Sequence, residues 1–148
     1  MQIPTTITQC GSTESSDVIL LVQGDTNPSL IVSLTNEEYN SISGNTTITP
    51  IDVSNANVFL KLRKVTSNTI FATVEGDKLS GIVNSETGEV SYLPPYDEFG
   101  KGGRVSFQWK TEDLIESGLC EGEIKIYHTA NSIQTVYSII PIKIREQF

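Results

Sequence analysis

This sequence is poor in the residues from which reaction centres are made. It holds one histidine, His128, and two cysteines, Cys10 and Cys120, in 148 residues. Two cysteines make no disulfide framework. We read them as two free thiols of a protein made in a reducing cytosol, with a single Cys10–Cys120 bridge as the alternative. Cys120 and His128 fall eight positions apart in what reads as one strand. At about 3.3 Å per residue they stand roughly 26 Å apart, too far for a thiolate–imidazole pair. No Gly-x-Ser-x-Gly elbow occurs, so His128 reads as an ordinary strand residue. No zinc spacing exists, and the loop acids Asp25, Asp77 and Asp97-Glu98 lack the Asp-x-Asp-x-Asp run of a calcium loop. Gly100-Lys-Gly-Gly103 lacks the Ser/Thr ending of a phosphate loop and precedes a strand rather than a helix. The expectation is a chain with no catalytic residue, no metal and no cofactor.

Positive charge is also scarce. Ten Lys and Arg are scattered among eighteen Asp and Glu, for a net charge of −8. A phosphate-neutralising surface needs clustered cations, so neither nucleic acid nor an anionic membrane is an expected partner. No apolar run approaches 18 residues, which excludes a spanning helix. The first ten residues have no basic segment followed by an apolar one and do not read as a signal peptide. Asn45-Thr-Thr47 matches a glycosylation acceptor, which has meaning only in a secretory pathway.

What the chain has instead is hydroxyl side chains and two-residue alternation. Sixteen Ser and sixteen Thr supply turns and strand surfaces. Leu30, Val32 and Leu34 share one parity, as do Val58, Leu60 and Leu62, then Ile70, Ala72 and Val74, and Val90 with Tyr92. Val105, Phe107 and Trp109 repeat the pattern, as do Ile124 and Ile126, and Ile140, Ile142 and Ile144. Such alternation marks half-buried antiparallel strands. Turn clusters at Gln23–Pro28, Glu75–Asp77, Ser85–Gly88 and Gly100–Gly103 separate them. Seven or eight short strands so spaced predict an all-β antiparallel two-sheet sandwich over 18–148. Residues 1–17, Ser/Thr-rich and without a period, read as an extended N-terminal arm. Thr111–Gly118 carries a capping Thr, early acids and a terminal Gly, which predicts one short helical turn.

Two connections are longer than a hairpin needs. The stretch 36–49 is about fourteen residues, and Pro94–Gly103 carries Tyr96 and Phe99 in a Gly/Pro setting. Exposed loop aromatics are either contact residues or lids over the sandwich ends, and the sequence leaves both readings open. Tyr39, Ile42, Tyr96 and Phe99 are the candidate protein-contact residues.

Several segments occur in a recognisable order. Leu20-Leu-Val-Gln-Gly-Asp-Thr26 leads into an alternating strand, and Pro50-Ile-Asp-Val-Ser-Asn-Ala56 leads into Val58–Lys64 with its Lys and Arg. Gly88-Glu-Val-Ser-Tyr92, Val105-Ser-Phe-Gln-Trp-Lys110, Gly122-Glu-Ile-Lys-Ile-Tyr127 and Gln134-Thr-Val-Tyr137 follow. Over about 18–146 this order resembles the immunoglobulin-like N-terminal domain of phage baseplate upper proteins and related small tailed-phage structural domains. In the lead 50–56, Asp52 and Ser54 can tie a corner through side-chain hydrogen bonds, and Trp109 is the expected large core residue. In that family the domain usually heads a longer chain, whereas this sequence closes at Phe148.

The resemblance implies a non-enzymatic structural component of a virion, in the tail, baseplate or fibre-attachment region. It would be synthesised in the host cytoplasm, be oligomeric within the particle and dock onto other phage structural proteins. The alternatives are a capsid decoration or cement protein, and a carbohydrate-binding module for a host glycan using Tyr39, Tyr96 or Phe99.

Overall fold

The computed structural model describes residues 5–9 (backbone), 18–84, 86–129, 131–136 and 138–148. Cys10 and most of the 1–17 arm lie outside the described residues, as does Tyr137. Thirteen strands and no helix occur among them. They are β1 (Thr5–Gln9), β2 (Ile19–Val22), β3 (Leu30–Tyr39), β4 (Thr46–Pro50), β5 (Asn57–Lys64), β6 (Thr69–Glu75) and β7 (Asp77–Lys78). Then come β8 (Ile82–Val83), β9 (Val90–Ser91), β10 (Arg104–Phe107), β11 (Gly118–Thr129), β12 (Ser132–Thr135) and β13 (Ile140–Arg145).

Two sheets form the sandwich. The first runs β1-β3-β10-β7, with β4 on the far half of β3; the second runs β2-β13-β11-β5-β6, with β12 on β11. In immunoglobulin order these are A-B-E-D and A′-G-F-C-C′. Pairings are antiparallel except β2 with β13, which is parallel from Ile19↔Ile142 to Val22↔Arg145. β8 and β9 make a separate ribbon inside the D–E connection.

The alternating parities supply the core. Leu30, Val32, Leu34, Val105 and Phe107 of the first sheet are buried with Val58, Leu60, Leu62, Ile124, Ile126, Ile140, Ile142 and Ile144 of the second. Cross-strand register aligns them: Ile124 faces Leu60, and Ile126 faces Val58. Each such side chain contributes roughly 1.5–3 kcal/mol by leaving water. Trp109 is fully buried, and its indole Nε1 donates to the Pro28 carbonyl at 2.9 Å. One buried polar end is thereby satisfied, and the A′–B turn is pinned to the core.

The structure differs from the sequence expectations in four places. Residues 111–114 form a turn, not a helix: the backbone N–H of Asp113 donates to the Lys110 carbonyl, and the Asp113 carboxylate accepts from Lys110 N–H at 2.8 Å. Eight residues cannot repay helix nucleation, and Gly118 already opens β11. Ile70 is 55% exposed rather than inward. A bulge pairs Leu62 with Ala72 but Arg63 with Ile70, so Phe71 is the extra residue and Ile70 takes the outward phase of Arg63. Residues 36–49 are a β-hairpin rather than a loop, since β3 continues to Tyr39 against β4, from Thr35↔Pro50 to Tyr39↔Thr46. Within the arm, Thr5–Gln9 pairs with Leu30–Leu34 as strand A of the first sheet.

Candidate functional site

The extra chain length collects at one end of the sandwich. The B–C connection is the β3–β4 hairpin and its return through 51–56, D–E is the 79–103 excursion, and F–G contains β12. Hydrogen bonds join all three. Val53 N–H donates to the Gly100 carbonyl at 2.9 Å. Lys78 Nζ donates to the carbonyls of Ser54 (3.0 Å) and Ala56 (3.1 Å). Gln134 Nε2 donates to Asn36 Oδ1 at 3.3 Å. The opposite end is plainer: the A′–B turn meets the E–F turn through Gly24 N–H to the Leu114 carbonyl at 2.9 Å, and Gln108 Nε2 reaches the Thr26 carbonyl.

The corner read from 50–56 is present. Asp52 Oδ1 accepts from Ser54 N–H at 2.9 Å and from Ser54 Oγ at 2.6 Å, while Asp52 Oδ2 pairs with Lys101 Nζ at 3.3 Å. The Ser54 donors, helped by Lys101, hold the Asp52 carboxyl below its ordinary 3.8. Lys101 thus ties the D–E excursion to the B–C corner.

Gly100-Lys-Gly-Gly103 is explained by close packing, not by phosphate. A Cβ on Gly102 would lie 2.1 Å from the Gly81 carbonyl oxygen, and Gly103, at φ +78°, sits against the Leu34 carbonyl. Only glycine allows the excursion to lie this flat against the base of the hairpin.

The four candidate contact residues have different surroundings. Tyr39 and Ile42 are on the hairpin, 68% and 96% exposed, and Phe99 is 68% exposed on the excursion. Tyr96 is half-buried, with its backbone fixed between Leu93 O and Gly81 N, so it belongs partly to the wall of the loop. Asn40 shapes the hairpin tip by accepting from the N–H groups of Ile42 (2.9 Å) and Ser43 (3.2 Å). Ile42 is held outward by that turn.

Among the described residues, reactive groups do not converge. His128 Nε2 is 3.0 Å from Gln134 Oε1. Cys120 is a free thiol buried in β11, and burial, with a smaller effect of Glu121, pushes it up to about 11. That is the reverse of an activated thiolate. No group of three metal-ligating side chains occurs among the described residues. Among the described residues no helix is long and apolar enough to cross a membrane.

A second feature was not singled out in the sequence. An open groove of about 510 Å³ lies on the outer face of the second sheet. Asn57, Phe59 and Lys61 follow one another along the outward parity of β5, with Asn55 just before the strand and Thr73 of β6 on one side. Tyr127, His128 and Thr129, at the end of β11, complete it. The Phe59 and Tyr127 rings meet edge to face, with centroids 5.6 Å apart at 83°. The signal was there: Phe59 interrupts an otherwise polar outward parity of β5, and Tyr127 follows Glu121, Glu123 and Lys125 on that of β11.

No family model matches the sequence, and no match is found among curated proteins. Among solved structures the chain is similar to AggA, the major subunit of aggregative adherence fimbriae type I from Escherichia coli. The two are 10% identical, with 98% of this chain and 97% of that one covered and a TM-score of 0.40. At that score the likeness bears on neither activity nor partners. The strand order defines the class: an immunoglobulin-like β-sandwich whose B–C, D–E and F–G connections are elaborated together.

Proposed function

We propose that this chain is a non-enzymatic structural component of a tailed-phage virion, in the tail, baseplate or fibre-attachment region, and that it docks onto neighbouring subunits through its loop-rich end. The observation that carries the docking mode is the exposure of Tyr39, Ile42 and Phe99 on braced connections at that end. Large apolar side chains held outward on rigid turns are suited to burial against a partner, and Tyr39 and Phe99 are of the type enriched at interfaces. The virion assignment is supported by the order of the segments at 20–26, 50–64 and 105–127. In a symmetric particle many copies act together, so each contact can be weak.

The test replaces 38–47 by Asn-Gly. Glu37 and Ile48 are cross-strand partners, so a two-residue turn can close the shortened hairpin. The variant should keep its β-type circular dichroism and lose incorporation into particles assembled in its presence. A folded variant that incorporates as well as the parent chain would overturn the docking assignment.

A further inference from the structure

We propose that the groove on the outer face of β5 and β11 binds a saccharide unit bearing a carboxylate, of the uronic or sialic acid class. This goes beyond the docking role, because the groove uses none of Tyr39, Ile42 or Phe99.

The size of the groove, about 510 Å³, falls among small-ligand sites of roughly 300–1,000 Å³. A peptide strand is a poor occupant. β5 is hydrogen-bonded to β11 on one side and β6 on the other, so its backbone offers no free edge for strand addition. Recognition must come from side chains standing on the sheet. Phe59 and Tyr127 provide two apolar ring surfaces at right angles, suited to the C–H faces of a pyranose.

Polar groups surround them. The side chains of Asn55, Asn57, Thr73 and Tyr127 make no hydrogen bond to another described residue, which leaves their donors and acceptors free for sugar hydroxyls. His128 is oriented by Gln134. Lys61 is the one full cation of the lining, and no Asp or Glu lines the groove although the chain carries −8. Glu123 stands opposite Lys61 and Glu75 opposite Phe59 in register. Neither forms an ion pair with Lys61; the ion pairs among the described residues are Arg63–Glu121, Lys64–Glu116 and Lys101–Asp52. Lys61 is therefore an ammonium without an ion-pair partner among the described residues, lining the same groove as the two aromatic rings, and a ligand carboxylate is its complement.

Isothermal titration of the whole chain with sialyllactose, a glucuronic-acid disaccharide and lactose tests this. At least one acidic probe should bind about tenfold or more tightly than lactose. Lys61→Gln, a surface change checked by its melting curve, should reduce that probe to the level of lactose. Arg63→Gln, a cation outside the groove, and the 38–47 replacement should leave its binding unchanged. Equal binding of lactose, no binding of any probe, an unaffected Lys61→Gln variant, or loss on the 38–47 replacement would each overturn the proposal.

Discussion

Adding one methyl group at Gly102 should disturb both the stability of this protein and the end proposed to dock. The new Cβ would lie 2.1 Å from the Gly81 carbonyl oxygen, 2.8 Å from its carbon and 2.9 Å from Ile82 Cα. All three are backbone atoms of the same excursion, so no side chain can rotate away and its 79–82 and 100–103 limbs must move apart. Overpacking of this kind costs about 1–3 kcal/mol. For a domain of this size each kcal/mol moves the melting temperature by about 2–4 °C, so Gly102→Ala should melt roughly 2–12 °C lower. The bonds Val53 N–H to Gly100 O and Gly81 N–H to Tyr96 O lie in the displaced region, so Phe99 should lose its fixed position and particle incorporation should fall as well. Gly88→Ala is the control for conformation alone: its φ is +76° and nothing lies within 4 Å of its Cβ. It should cost only the left-handed penalty of about 1–2 kcal/mol and leave incorporation intact. Calorimetry of both variants with an incorporation assay decides the matter. A Gly102→Ala protein that melts within a degree of the parent would refute the close packing of Gly102 on Gly81 within the excursion.

Two further outcomes follow from the titrating groups. The Asp52 carboxyl is held below 3.8 by Ser54 and Lys101, so its contribution is present above that value and is lost as pH falls through the folded-state pKa; acid melting curves of Asp52→Ala should therefore be flatter than the parent's below about pH 4, and equal slopes would contradict the corner bonds. Cys120, raised to about 11 by burial, should react with a disulfide reagent at neutral pH in a Cys10→Ser chain only as fast as the protein unfolds, and prompt native-state labelling of that chain would show that β11 is not closed over it.

The sandwich was legible because its core strands obey one rule: each buries one parity. Leu30 to Leu34, Val58 to Leu62, Val105 to Trp109 and Ile140 to Ile144 all face inward as their spacing implies. The corner at Asp52 and Ser54 was legible too, because it is made by residues two apart. The failures have a common physical origin in information carried by a partner strand. Ile70 is turned outward by a bulge that only its pairing with Arg63 defines. Asn36–Tyr39 projects beyond the body of the sheet with polar residues on both faces, so no alternation announced that β3 continues; the β-branched run Thr46-Thr-Ile-Thr49 was the available hint. The groove depends on Phe59 and Tyr127 meeting across two strands 68 positions apart, a register that no local pattern encodes. The helical reading of 111–118 used correct capping chemistry, which the chain spends instead on one turn around Asp113.

The proposed place of this chain in a virion tests the account most directly. An electron-microscopy map of the intact virion should show neighbouring subunits packed on Tyr39, Ile42 and Phe99, with the end bearing Val65 and Ile115 left open to solvent. A map in which neighbours cover Val65 and Ile115 while the β3–β4 hairpin points into empty solvent would contradict it.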